Sequence, residues 1–116
     1  MFKCSNVSKE YTMEKKEITV SAPLQEEKLS ALADFYKVLG EPSRLKILYL
    51  LYGCELPVSD IASGVGSTVS AVSHQLKILK NARLVKFRKD GKNSIYSLAD
   101  DHISTILSMG TDHINE

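Results

Sequence analysis

The spacing of the apolar residues changes from a helical period to an alternating one near residue 84, and this change restricts the folds open to the chain. Apolar residues recur every three or four positions over residues 69–79, whereas residues 85–88 alternate apolar with basic side chains. Asp90-Gly91 is a strong signal for a tight turn, and the alternation resumes at Tyr96 and Leu98. The pattern predicts an amphipathic helix followed by a two-stranded β-hairpin.

Helical periodicity predicts two further helices ahead of this region. The first ends at Gly40, and the second begins at Pro42 and ends before Gly53. Residues 1–24 are polar and mixed in charge, so we expect a flexible N-terminal arm there. Residues 25–116 then form one folded domain, because a chain of 116 residues has a core for a single domain.

A helix-turn-helix is predicted between the second helix and the hairpin. A short helix extends from Pro57 to about Ser63, and residues 64–66 form a glycine-containing turn. Ser67 is the expected N-cap of the longer helix, which ends near Asn81.

One more amphipathic helix closes the chain. Its apolar side consists of Ile103, Ile106, Leu107 and Ile114. The order of elements predicts a mainly α (α+β) fold, a winged helix-turn-helix with a two-stranded β-hairpin wing and a C-terminal dimerisation helix.

Composition favours a soluble protein of the cytoplasm without a membrane partner. The chain is 43% hydrophobic and 25% charged, and it has no run near the roughly 20 apolar residues of a membrane span. The N-terminus lacks the apolar core of a secretory signal. Two cysteines, Cys4 and Cys54, are too few for a disulfide framework and indicate thiols in a reducing compartment.

Basic residues are concentrated in the predicted helix-turn-helix and wing, although the net charge is only +1. Between Ser67 and Asn93 there are seven basic residues against one acid, Asp90. Such a stretch is typical of either a solvated edge or a face that binds a polyanion. Small polar side chains at the start of the longer helix of the helix-turn-helix can contact base edges and phosphates, and lysines can contact phosphates. The predicted DNA-binding residues are Ser67, Thr68, Ser70, Ser73, His74, Gln75, Lys77, Lys89 and Lys92.

The last helix carries two of the three histidines, each accompanied by a carboxylate. Asp100, His102, His113 and Glu116 fall along one stripe of a continuous helix, yet His102 and His113 are about 16 Å apart along its axis. One ion cannot bind both within a chain, because zinc–ligand bonds are only about 2 Å long. Two antiparallel copies of the helix would instead create two interchain N2O2 sites per homodimer, a ligand set suited to Zn²⁺. The alternatives are a polar helix surface with incidental histidines and, for Asp100, a role as helix N-cap.

Five stretches of the chain resemble the ArsR/SmtB family of metal-sensing winged-helix repressors. They are residues 38–45, 55–62, 71–76, 84–92 and 95–98, and they include Glu-Pro-Ser-Arg and Val-Ser-His-Gln-Leu. The resemblance implies an apo homodimer that binds operator DNA and releases it when zinc binds at the paired C-terminal helices. It also implies the ligands Asp100, His102, His113 and Glu116. Many relatives carry a thiolate site in the stretch matching residues 55–60, but Pro57 and Ser59 stand where its cysteines would be, which favours zinc over soft metals.

Two other functions remain open at this stage, and enzymatic activity is not expected. One is a redox-sensing regulator of the same fold that acts through Cys4 and Cys54, and the other is a zinc-buffering protein without an operator. A hydrolytic zinc enzyme keeps an open ligand position, whereas four protein ligands close the shell. For the repressor, we hypothesise that the His113 ring reports metal occupancy to the loop near Arg83 through a hydrogen bond.

Overall fold

The computed structural model describes residues 25–116, so the predicted flexible arm and Cys4 lie outside the described residues. The helices are α1 (Glu26–Leu39), α2 (Pro42–Leu50), α3 (Val58–Val65), α4 (Val69–Asn81) and α5 (Asp101–Ile114). The strands are β1 (Leu56–Pro57), β2 (Val85–Asp90) and β3 (Asn93–Leu98). This order of elements confirms the predicted winged helix-turn-helix. The chain divides into two compact units inside α1, and the features below belong to the second unit, Phe35–Glu116.

The turn of the helix-turn-helix lies later in the chain than expected: the first helix ends at Val65, two residues beyond the prediction, and the N-cap of the second is Thr68, one residue beyond it. Gly64 is not in the turn but inside α3, where a Cβ would lie 2.7 Å from Cδ2 of Leu50, so its lack of a side chain lets α2 pack closely. The predicted cap at Ser67 is wrong. The Ser67 amide donates to Ala62 O at 2.9 Å as part of the closure of α3, and Thr68 Oγ1 caps α4 instead.

The predicted two-stranded hairpin of the wing is confirmed as β2 and β3, and β1, which was not predicted, adds a third antiparallel strand in the order β1-β3-β2. Leu56 pairs with Tyr96 and Pro57 with Ile95. Pro57 therefore ends β1 and is also the N-cap of α3, whereas the preference of proline for first helical turns had predicted it inside the helix. Asp90 pairs with Asn93, which leaves a two-residue loop at the wing tip.

The core lies between the helix-turn-helix, the sheet and the first half of α5. Its least exposed side chains come from α2, α3, α4 and the residues that directly follow α2 and precede β2; they include Ile47, Leu48, Leu51, Ile61, Leu76, Leu79 and Leu84. The side chains of Ile103 and Leu107, in the first half of α5, are buried in the core. Ile114, which was predicted on the same apolar side of the helix, is 81% exposed. Val69 is also exposed although it continues the period of α4. Val69 is the first residue of α4 and Ile114 is the last residue of α5, so both lie at helix ends.

None of the helices within residues 25–116 is long and apolar enough to cross a membrane.

Candidate nucleic-acid interface and metal-binding helix

Helix α4 presents a polar face to solvent because its apolar face is fixed in the core. Val72, Leu76 and Leu79 are at most 2% exposed. The predicted DNA-binding residues of this helix and its cap are exposed with one exception: Ser67, Thr68, Ser70, Ser73, His74 and Lys77. Small side chains at the start of the helix leave its backbone close to the surface. This arrangement suits a helix that enters the major groove of DNA.

Gln75 is the exception, because it is half-buried and its amide contacts other side chains. Its Oε1 accepts a hydrogen bond from Arg44 Nε at 3.0 Å, and its Nε2 lies 3.5 Å from Ser43 Oγ. Arg44 in turn donates from Nη1 to the carbonyl oxygen of Val38 at 3.1 Å. Gln75 therefore joins α4 to α2 and the end of α1. A base contact by Gln75 requires these bonds to break.

A carboxylate organises the start of α2. Glu41 Oε1 accepts hydrogen bonds from Ser43 Oγ at 2.6 Å and from the Arg44 amide at 3.1 Å, which makes it the N-cap. The Ser43 hydrogen bond is the main reason that the pKa of Glu41 lies below its ordinary value. No sequence pattern predicted a function for this cluster, although its residues form part of the stretch that resembles the family.

Two basic side chains, one on β2 of the wing and one on α4, have intramolecular partners. Arg88 forms an ion pair with Glu55, and this contact lowers the pKa of the Glu55 carboxyl. Lys80 Nζ lies 5.0 Å from the centre of the Phe87 ring, a cation–π distance. Neither Arg88 nor Lys80 was among the predicted DNA contacts, so these interactions do not affect that prediction.

The two predicted wing contacts occupy the tip. Lys89 and Ser94 are cross-strand partners, and Lys89 Nζ lies 3.4 Å from Ser94 Oγ. Lys92 is in the two-residue loop next to Gly91, whose φ of 66° supports the tight turn. Both lysines are exposed, so they can approach a phosphate backbone.

Asp100 and His102 meet at the start of α5. Asp100 Oδ1 accepts hydrogen bonds from the amides of His102 at 2.9 Å and Ile103 at 3.4 Å, and it lies 3.3 Å from His102 Nδ1. Desolvation raises the pKa of Asp100, but these hydrogen bonds outweigh it and the pKa is lowered. The side chains of His102 and Asp100 are 90% and 55% exposed. Asp100 is thus an N-cap, as the alternative interpretation held, and it also faces an imidazole.

His113 and Glu116 lie at the other end of the helix. His113 is exposed in the last turn. Helix α5 ends at Ile114, so the prediction that Glu116 lies on the same continuous helix as the histidines is wrong. The Glu116 amide still lies 3.4 Å from the carbonyl oxygen of His113. Within residues 25–116, no group of three or more His, Cys, Asp or Glu residues is close enough to hold a metal ion. A single protomer does not bring the four predicted ligands together.

The donor atoms nevertheless fit a zinc ion shared between chains. The hydrogen bonds of Asp100 within the described residues all use Oδ1, so Oδ2 is left for another partner. Nδ1 of His102 lies 3.3 Å from the Asp100 carboxylate. Two donors on one tetrahedral zinc ion, with bonds of about 2 Å, are about 3.3 Å apart, so this pair could bind the same ion.

Cys54 is a free, exposed thiol in the connection between α2 and β1. Its Sγ lies 3.2 Å from the carbonyl oxygen of Leu50, four residues earlier in the chain. Its predicted redox partner Cys4 lies outside the described residues.

Comparison with known proteins matches this chain to bacterial regulators. The family described as "Bacterial regulatory protein, arsR family" matches residues 41–86. A transcriptional repressor SmtB homolog from Synechocystis is 45% identical over 85 residues, which cover 73% of this chain and 64% of the relative. A cadmium resistance transcriptional regulatory protein CadC homolog from Staphylococcus aureus is 37% identical over 73% of this chain and 71% of the relative. The match thus spans less than two thirds of the Synechocystis protein.

A solved structure supports the same assignment of the fold. The homodimeric winged helix-turn-helix DNA-binding domain from Mycobacterium bovis, determined by solution NMR, has a TM-score of 0.74 and 28% sequence identity. The similarity covers 83% of this chain and 92% of that domain.

Proposed function

The chain belongs to the ArsR/SmtB family of metal-sensing transcriptional repressors, and on this basis we propose that it is a zinc-responsive repressor. Its apo homodimer binds operator DNA, and zinc binding at the paired C-terminal helices releases the DNA. The observation that carries the zinc assignment is the exposed pair of Asp100 and His102 at the start of α5, with Asp100 Oδ1 3.3 Å from His102 Nδ1.

The exposed polar face of α4 supports binding to double-stranded DNA. Ser70, Ser73 and His74 face solvent, while the opposite side of the helix is fixed in the core. Lys77 on α4 and Lys92 at the wing tip are suited to phosphates on either side of the base contacts. In this proposal the helix reads the operator and the wing holds the backbone.

The apolar residues left exposed on α5 support a dimer. Met109 is 64% and Ile114 is 81% exposed, an unfavourable state for large apolar side chains that pairing of two helices would relieve. In an antiparallel pair, Asp100 and His102 of one protomer and His113 and Glu116 of its partner would hold zinc, with two sites per dimer. Bound zinc would supply a cross-link between the two C-terminal helices.

The donor types favour zinc among the metals of the family. Two imidazoles and two carboxylates suit Zn²⁺, whereas soft metals prefer thiolates. The CadC homolog is named for cadmium resistance. In this chain Pro57 and Ser59 occupy the stretch where the resemblance places cysteines, so that thiolate site is missing its usual ligands.

The regulatory step is a difference in operator affinity between two dimer arrangements. Metal binding weakens DNA binding only if it stabilises the arrangement with lower operator affinity, and DNA then weakens metal binding by the same factor. The proposed route from His113 to the loop after α4 ends near Arg83. That residue has a φ of 64°, and its amide donates to Lys80 O at 3.0 Å. A non-glycine residue in this conformation is held there by its surroundings.

Operator binding measured with and without zinc tests the proposal. The zinc-free protein should bind DNA from its own promoter region, and zinc should weaken that binding. Lys92→Ala should weaken binding uniformly across sequences and lower the slope of log K against log salt by about one. Lys37→Ala, an exposed lysine on α1, serves as the control and should change neither quantity. Zinc binding without DNA binding would contradict the proposal and support a zinc-buffering protein.

A further inference from the structure

The last two turns of α5, which carry His113, project beyond the core. Residues 109–116 are all exposed. A cavity of about 290 Å³ lies beside these turns and is lined by residues of α1, α2 and α5, including Tyr49 and Gly110. Within residues 25–116, the hydrogen bonds that other elements make to α5 all come from Tyr49. Within these residues, the end of α5 that carries His113 is therefore hydrogen-bonded to the other elements through one side chain, that of Tyr49.

Tyr49 makes two short contacts at this point. Its hydroxyl oxygen lies 2.7 Å from the carbonyl oxygen of Leu107 and 2.6 Å from Thr111 Oγ1. Thr111 Oγ1 also lies 3.0 Å from Leu107 O. Each hydroxyl has one hydrogen, so two of these three contacts are hydrogen bonds at any time. Thr111 is only two residues from His113, so Tyr49 fixes the turn that holds this predicted ligand.

Helix α2, which carries Tyr49, is also hydrogen-bonded to α4, the helix proposed to read the operator. At the start of α2, Arg44 donates to Gln75 Oε1 at 3.0 Å, and Gln75 is on α4. The middle of α2 is buried through Ile47 and Leu48, which are 1% and 0% exposed. Because α2 is one uninterrupted helix of nine residues, its two ends move together. Helices α5 and α4 are thus attached by hydrogen bonds to opposite ends of the rigid helix α2.

We propose that Tyr49 is a positioning residue for metal regulation, through which the last turn of α5 is coupled by α2 to α4. This inference rests on the proposed function, since it requires that zinc binds at α5. When the position of the last turn of α5 changes, the hydroxyl contact carries the change to α2, and Arg44 carries it to Gln75. The coupling runs within one protomer and needs no contact between Tyr49 and the metal or the DNA.

Tyr49→Phe tests the coupling because it removes only the hydroxyl. The measured quantity is the ratio of operator Kd with zinc to operator Kd without zinc, together with zinc affinity in the absence of DNA. Tyr49→Phe should still bind zinc and operator separately, but the ratio should fall by about 2- to 30-fold. Tyr52→Phe is the matched control, because Tyr52 is 47% exposed and its hydroxyl makes no hydrogen bond within residues 25–116. The control should keep the wild-type ratio.

Thr111 gives an independent test with a conservative rescue. Thr111→Val removes the hydroxyl at nearly constant volume and should lower the same ratio, whereas Thr111→Ser keeps the hydroxyl and should restore it. Thermal unfolding of each variant reports whether the fold is intact. A wild-type ratio in both Tyr49→Phe and Thr111→Val would overturn the proposal, and so would equal losses in Thr111→Val and Thr111→Ser.

Failure of the proposed function has a different signature. If zinc does not change the operator affinity of the wild-type protein, both the zinc-responsive repressor and the coupling through Tyr49 are wrong. If the wild type responds to zinc and both Tyr49→Phe and Thr111→Val respond equally, only the coupling is wrong.

Discussion

Asp100 Oδ1 lies 3.3 Å from Nδ1 of His102 while it also accepts the amide hydrogens that begin α5. One carboxylate therefore caps the start of the helix and also lies beside a second candidate metal ligand. The cap and the ligand were competing interpretations of Asp100 in the sequence. They are compatible in the structure because a carboxylate has two oxygens and the cap uses one.

Substitutions of Asp100 should separate the two roles. Asn is as good an N-cap as Asp, so Asp100→Asn should keep the stability of the zinc-free protein. It should lower zinc affinity by at least about tenfold, because the charge and one carboxylate oxygen are lost. Asp100→Ala should lower both zinc affinity and stability. Urea unfolding without zinc and zinc titration measure the two effects, and equal stability of the two variants would show that Asp100 is not an effective cap.

His113→Gln should abolish the response to zinc and leave zinc-free operator binding intact. His113 is exposed in the last turn of α5 and is not among the predicted DNA contacts, so we expect operator binding without zinc not to depend on it. The control is Asp112→Asn, an exposed carboxylate next to His113 that is not among the proposed ligands. Operator titrations with and without zinc measure the effect. A His113→Gln protein that released DNA normally with zinc would contradict the assignment.

Removal of the thiols should leave regulation unchanged. In the double variant Cys4→Ser with Cys54→Ser, zinc should weaken operator binding as it does in the wild type, because none of the proposed ligands is a cysteine. Operator affinity should also be insensitive to a mild oxidant in the wild type. Loss of an oxidant response on replacing the thiols would instead favour the redox-sensing regulator.

Stability of the zinc-free protein should fall in acid through Glu41. The Ser43 and Arg44 hydrogen bonds favour the charged carboxylate and hold the pKa of Glu41 below 4.5, its value in the unfolded chain. Between the two values the unfolded state binds more protons, so this contribution is present above pH 4.5 and is lost as pH falls through the lower folded value. Glu41→Gln should reduce the acid dependence of the unfolding midpoint over this window. Unchanged acid dependence would contradict the role of the hydrogen bonds.

The elements with a clear period were predictable, and those that depend on distant partners were not. The amphipathic face of α4 and the alternation of β2 indicated the helix-turn-helix and the wing. Strand β1 has only two residues and shows no alternation, so its pairing with β3 could not be inferred. The contact of Arg44 with Gln75 joins residues 31 positions apart, and no local pattern encodes it.

The candidate metal site was predictable in its residues but not in its local geometry. Spacing placed Asp100, His102 and His113 along one helix, and the structure forms that helix from Asp101 to Ile114. Glu116 fell outside it because the end of a helix depends on capping and packing more than on periodicity. The predicted assembly of the four ligands involves a second chain and stays a prediction.

Complementation between two defective chains tests the central claim most directly. One chain carries Asp100→Asn and His102→Gln, and the other carries His113→Gln and Glu116→Gln. If the sites are shared between antiparallel α5 helices, neither homodimer has a complete site, whereas a heterodimer of the two has one complete site and one without ligands. Differently tagged chains allow the heterodimer to be purified and titrated with zinc. The account predicts one tightly bound zinc per heterodimer and none in either homodimer; a heterodimer that binds no better than its parents would contradict it.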